Sequence, residues 1–209
     1  MTPGEIINAS KASQDKQEFL FLYDKVKGYS PKVIVEIGTW MGYSMETLHK
    51  LFTPEVLITI ESSEKIQSAL FQRVSRGDFK DLVPAPIAIK GISYDGETLG
   101  NVRFLLKDRP IDFLFIDGDH HYETVKKDFQ TYLPIMSDNS VIAFHDTGFS
   151  GKNRDGHSWE DLGVQVNRFW QEIKKDFVTE EFRTSDNSPG IGILYVDAAR
   201  QKNYIKNLL

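Results

Sequence analysis

The sequence predicts a doubly wound, Rossmann-like α/β domain built on a mostly parallel sheet, and three observations carry that expectation. Five short apolar runs alternate with amphipathic stretches of helical period, the pattern of parallel strands joined by right-handed crossovers. The runs are short and mostly apolar, with the length of strands buried on both faces. Two further β-like segments lie close together near the end of the chain and read as an antiparallel pair closing the sheet.

Taken in order, the first thirty residues read as helical. Phe19, Leu22, Tyr23 and Val26 recur at helical spacing, and Gly28 with Ser30-Pro31 ends the run. The apolar runs are VIVEIG from Val33, VLITIE from Val56, PIAIKG from Pro86, IDFLFID from Ile111 and SVIAFHD from Ser140. Between them, Met45, Leu48 and Phe52 mark one helix face, and Ile66, Leu70 and Val74 a second. Tyr122, Val125, Phe129 and Leu133 mark a third; Val166, Phe169, Trp170, Ile173 and Phe177 a fourth. The closing pair, VTEEFRT from Val178 and IGILYV from Ile191, flanks the turn signal DNSPG. No repeat, low-complexity tract or linker intervenes, so residues 1–209 read as one domain, a helical segment 1–30 before a core 31–209.

A chain of 209 residues can bury a core without a metal or disulfide staple. It has no cysteine, which excludes disulfides, thiolate metal sites and a cysteine nucleophile, and fits a reducing cytosol. Lys+Arg number 25 against 30 Asp+Glu, the opposite of the basic surplus that grips a phosphate backbone. No apolar stretch approaches the ~20 residues of a membrane span, and the N-terminus lacks the apolar core of a signal peptide. The expectation is a cytoplasmic protein with neither nucleic acid nor membrane as partner; a homo-oligomer stays open.

In open parallel sheets, ligands bind beyond the carboxyl ends of the strands. The first run ends in Glu36, followed by a turn with Gly38, Thr39, Gly42 and Ser44, where the backbone can bend sharply and the next helix presents its N-terminus. The second ends in Glu61, placed to accept hydrogen bonds from ribose hydroxyls, although a carboxylate favoured by a helix dipole reads the same way. Ile92 and Ser93, after the third run, could frame an adenine or form a plain surface turn. Neither G-x-G-x-x-G nor a phosphate loop is present. Together these residues point to an adenosine-type ligand.

Asp117, Asp119 and His120 follow the fourth run, and His145 and Asp146 the fifth. On neighbouring strands the two groups start ~4.8 Å apart. Carboxylates that close repel unless a cation or a proton is shared. A divalent cation on Asp117 and Asp146, Mg²⁺ or a softer ion if His145 joins them, would relieve the repulsion and acidify a bound hydroxyl. His120 is the candidate general base, with helix capping as the alternative reading for it and Asp119. His121 is expected to start a helix and face water, and His49 to lie on the surface. The polar loop from Thr147 to Ser158 has the length of a lid, with Lys152, Arg154 and His157 either touching an acceptor or simply solvated. Trp159, Phe169 and Trp170 read as core or interface.

The turn Glu36-Ile37-Gly38-Thr39-x-x-Gly42-Tyr43-Ser44 resembles the first motif of class I S-adenosylmethionine-dependent methyltransferases. The run from Phe115 to Tyr122, FIDGDHHY, with the sequence after it, is similar to a bacterial subgroup of small O-methyltransferases, macrolide-sugar methyltransferases and proteins called cephalosporin hydroxylases. The similarity extends from about Val33 to Thr147. It implies S-adenosylmethionine as cofactor, held by Glu36, Gly38, Thr39, Gly42, Ser44, Glu61, Ile92, Ser93 and Asp117, and a hydroxyl of a sugar or other small molecule as acceptor. Asp117 would lie beneath the donor, and His120 would take the proton. Metal-dependent relatives commonly carry two consecutive acidic residues where this chain has His145-Asp146. Two rivals stand beside this reading. A nicotinamide-dependent oxidoreductase is disfavoured by the missing glycine and by carboxylates that would repel a pyrophosphate; a non-catalytic Rossmann-fold binding subunit is disfavoured by the catalytic-looking residues.

Overall fold

The computed structural model describes residues 1–153, 155–185 and 188–208. Helices α1 (Pro3–Ala9) and α2 (Lys16–Val26) form the N-terminal segment. Each starts on a capping box, Thr2 with Glu5 and Asp15 with Glu18, which satisfies the free N–H groups of the first turn. The core then runs β1 (Val33–Ile37), α3 (Tyr43–Phe52), β2 (Val56–Glu61), α4 (Glu64–Ser75), β3 (Ile87–Lys90), α5 (Gly96–Leu106) and β4 (Ile111–Ile116). It continues through α6 (Tyr122–Tyr132), β5 (Met136–His145), α7 (Val166–Ile173), β6 (Val178–Phe182), β7 (Ile191–Asp197) and α8 (Ala198–Leu208).

The seven strands form one sheet in the order β3-β2-β1-β4-β5-β7-β6. Strands β1 to β5 are parallel; β7 runs antiparallel between β5 and β6. Alternate strand residues feed two cores. Val35, Leu114, Ile142 and Leu194 pack with α5, α6, α7 and α8 on one face, whereas Ile34, Phe113, Val141 and Ile193 pack with α1 to α4 on the other. The chain winds outward from β1 to β3 and returns to β4 on the opposite side. That leaves a crevice at the carboxyl ends of β1 and β4, where strand order reverses.

Several elements differ from expectation. The sequence pattern gave no sign of α5, whose run GETLGNVRFLL carries two glycines, or of the polar α8. Strand β5 begins at Met136, four residues before its apolar run, with a register shift against β4. Val74, expected on the core face of α4, is 52% exposed. His49, expected on the surface, is buried, because the chain after α4 folds back over α3 and lets Nε2 donate to the Pro84 carbonyl at 2.8 Å. Of the turn signal DNSPG, Asp186 and Asn187 lie outside the described residues.

Candidate active site

The turn after β1 is shaped by backbone contacts. Gly38 has φ +88°, and a Cβ there would stand 2.1 Å from the Asp117 carbonyl oxygen, so only glycine lets the β1 turn lie against the β4 turn. Gly42, at φ +76°, starts α3, and a Cβ on it would meet the Leu70 side chain at 2.9 Å. Its close approach is therefore to core packing. Below the turn, Glu36 is fully buried, and its Oε2 accepts from the Thr39 and Thr59 hydroxyls at 2.8 and 2.7 Å. Burial pushes its carboxyl up to about 7. From α4, the buried Arg73 donates to the Met41 carbonyl at 2.6 Å and pairs with Glu46 and Asp78, pinning the turn from outside.

A cleft of about 730 Å³ opens above this turn and spans the ends of β1 to β5. On the β2 side, Glu61 accepts from the Trp40 N–H at 3.0 Å and the Ser63 N–H at 2.8 Å. Trp40 itself sits at φ +46° on the cleft wall, 54% exposed. On the β3 side, Ser93 donates to Asp128 of α6, while its carbonyl accepts from Tyr132 at 2.9 Å. Asp128 is fully buried, burial lifts its carboxyl to about 7, and its Oδ2 has no hydrogen-bond partner among the described residues.

At the β4–β5 end stands a charged cluster. His145 Nδ1 lies 3.1 Å from Asp117 and 3.4 Å from Asp146, and its Nε2 lies 3.2 Å from Glu18 of α2. Burial alone would lower the imidazole, but the three surrounding carboxylates outweigh it and hold it well above its ordinary value. The three carboxylates thus favour the imidazolium form of His145, whose proton answers the repulsion between Asp117 and Asp146. Asp146, at φ +61°, also accepts from His120 Nδ1 at 2.9 Å. Burial opposes its ionisation, yet hydrogen bonds from His120 and His145 hold it below the usual carboxylate range. The same bond to Asp146 raises His120 against the opposing effect of burial, a sign the sequence left open.

The chain is similar to known proteins. Residues 35–147 match the family model described as a methyltransferase domain. The chain belongs to that family.

The match sets the chain among methyltransferases and gives no support to the oxidoreductase alternative. A 93-residue stretch is 32% identical to the uncharacterized protein y4gI of Sinorhizobium fredii; it covers 43% of this chain and 8% of that protein, so the chain spans a small part of its relative. The fold is that of solved methyltransferases. An O-methyltransferase from Bacillus cereus in complex with SAH aligns over 94% of this chain and 91% of its own, with a TM-score of 0.67 and 22% identity. The O-methyltransferase TomG from Streptomyces achromogenes, in complex with SAM, gives a TM-score of 0.60 at 18% identity over 94% and 86% of the two chains. An rRNA methylase from Streptococcus thermophilus gives 0.58 at 12% identity, covering 89% and 99%, so this fold alone does not choose the acceptor.

In this methyltransferase-family domain, Gly38, Thr39, Ser44, Glu61, Ile92, Ser93, Asp117, His120, His145 and Asp146 all border the cleft. Glu36 and Gly42 do not: expected to touch the donor, they shape its floor from below. Asp119 also borders the cleft and accepts from the His121 N–H at 2.9 Å, but no side chain caps α6; the exposed His121 is its N-cap residue. Lys152 and His157 are absent from the cleft wall, and Arg154 lies outside the described residues. The segment after that loop meets the site through Gln165, whose N–H donates to the His120 carbonyl at 2.7 Å. Phe169 and Trp170 are core, whereas Trp159 is half-buried and packs on Phe149 with ring centroids 4.1 Å apart. Gln14, Arg73 and Asp128 went unread in the sequence; a polar residue gains meaning there only once the fold buries it.

Proposed function

We propose that the protein transfers the methyl group of S-adenosylmethionine to a hydroxyl of a small molecule such as a sugar. The observation that carries this reading is the Asp146–His120 pair at 2.9 Å beside the carboxyl ends of β4 and β5. With Nδ1 donating to Asp146, neutral His120 has its lone pair on Nε2 as the proton acceptor, on a residue that borders the cleft, and the ionised Asp146 would stabilise the imidazolium that forms. The residues suit the donor. Ser93 and Asp128 offer polar atoms for an adenine, Glu61 for a ribose, and Gly38 and Asp117 for the amino-acid end, so the ligand would lie across the strand ends from β3 to β4. The unpartnered Asp128 Oδ2 marks a buried acceptor waiting for a donor. The sulfonium supplies its own activation; the protein's task is alignment and removal of the hydroxyl proton.

A divalent cation also fits the donor set. Ligand atoms of Asp117, His145 and Asp146 lie within 4.8 Å of one another, and Glu18 behind Nε2 is the outer carboxylate that orients a ligating imidazole. His145 would have to give up its Nδ1 proton first, and a bound ion would acidify an acceptor hydroxyl. The acidic balance of the chain favours a small acceptor over nucleic acid. The test is transfer from methyl-labelled donor to a panel of sugars and catechols, with RNA as control, in chelator and with Mg²⁺ or Mn²⁺. Label in an O-methyl ether supports the reading; label in RNA alone, or in nitrogen, contradicts it.

A further inference from the structure

The loop between α1 and α2 brings Gln14 into the cleft from outside the sheet. Its Nε2 donates to Asp117 Oδ2. Chemistry fixes that orientation, since the flipped amide would set a carbonyl oxygen against a carboxylate. Gln14 is only 8% exposed, and its Oε1 is buried with no hydrogen-bond partner among the described residues. Buried carbonyl oxygens are rarely left without a donor, so the atom calls for one that arrives with a ligand.

We propose that Gln14 Oε1 accepts a hydrogen bond from the α-ammonium of S-adenosylmethionine, so that Gln14 and Asp117 together hold the amino-acid end of the donor. The inference rests on the donor reading above. The group opposite Oε1 must be a hydrogen-bond donor, because Nε2 is already engaged by Asp117. An acceptor hydroxyl has one proton, and that proton is committed to His120. An ammonium has three, enough to serve two neighbouring acceptors, and its charge suits the side of the cleft that holds Asp117. Gln14 would thereby make the N-terminal segment part of the donor site.

The test is calorimetric titration of the full chain and of Gln14→Leu and Gln14→Ala with two probes. These are S-adenosylhomocysteine and its deaminated analogue, which keeps the carboxylate. In each variant the preference for the amine-bearing probe over the analogue is expected to fall about tenfold, the loss of one charge-assisted hydrogen bond. That preference is a ratio within one protein, so a destabilised variant still reports it. Equal weakening of both probes, or an unchanged ratio, overturns the inference while leaving the donor reading intact. Failure of the unaltered protein to bind S-adenosylhomocysteine overturns both.

Discussion

Gly38 and Asp117 meet backbone to backbone: a methyl group on Gly38 would stand 2.1 Å from the Asp117 carbonyl oxygen. The contact joins the turns after β1 and β4, the two strands at which the sheet order reverses. The glycine turn and the strand end bearing Asp117 are thus held together through their backbones. Gly38→Ala combines a left-handed backbone with a clash that no side-chain rotation relieves. It is expected to cost at least about 2 kcal/mol, lowering the melting midpoint by at least about 4 °C, and to abolish donor binding. Thermal melts with and without S-adenosylhomocysteine check this; a variant that melts and binds normally would contradict it.

Glu36 makes stability depend on pH. Its ordinary value is 4.5 and burial raises it to about 7 in the folded protein. Between those values the unfolded chain gives up the proton and the folded chain keeps it, so stability falls as pH rises through this window. The total is about 3 kcal/mol, and the loss is constant above pH 7. Glu36→Gln removes this dependence. Denaturant unfolding at pH 4.5 and pH 7.5 should show the variant gaining about 3 kcal/mol on the unaltered protein between the two. A difference that does not change with pH would contradict the account.

His120 and Asp146 are expected to act as a pair in proton removal. His120→Gln should lower kcat by about 10²- to 10⁴-fold and leave the affinity for S-adenosylhomocysteine within about twofold. If Asp146 works through His120, the double variant His120→Gln/Asp146→Asn should lose much less than the product of the two single losses. Fully multiplicative losses would show that the two residues act independently.

Arg73 is buried; it pairs with the half-buried Glu46 and the exposed Asp78, reaches the Met41 carbonyl, and stacks over the Tyr43 and Phe79 rings. Replacing it with methionine leaves the Met41 carbonyl without its charged donor, while Glu46 keeps Lys50 and Asp78 keeps Arg76. The expected cost is about 2 kcal/mol, a fall of about 4–8 °C in melting midpoint. A change below about 1 °C would mean that the network is solvated and contributes little.

The strands were legible because parallel strands buried on both faces are mostly apolar, as Val33–Ile37 and Ile111–Ile116 are but for Glu36 and Asp112. The site's location followed, since strand ends in such a sheet converge. What stayed hidden depends on tertiary contact. Two glycines masked α5, and a charged neighbourhood suggested an exposed His49 that Pro84 in fact covers. Asp117, His145 and Asp146 did come together, but the partner that completes the cluster is Glu18, 127 positions from His145 in the chain. Its spacing in α2 reads only as a capping box. Glu36 carried the motif position of a donor ligand, yet its strand register points it into the α1–α4 side of the sheet, away from the cleft.

The most direct test of the central claim is calorimetric titration with S-adenosylmethionine in chelator, with NAD as the comparison ligand. The account predicts a single site of micromolar affinity for the sulfonium donor and no heat from NAD. Absence of donor binding, above all with NAD bound in its place, would contradict it.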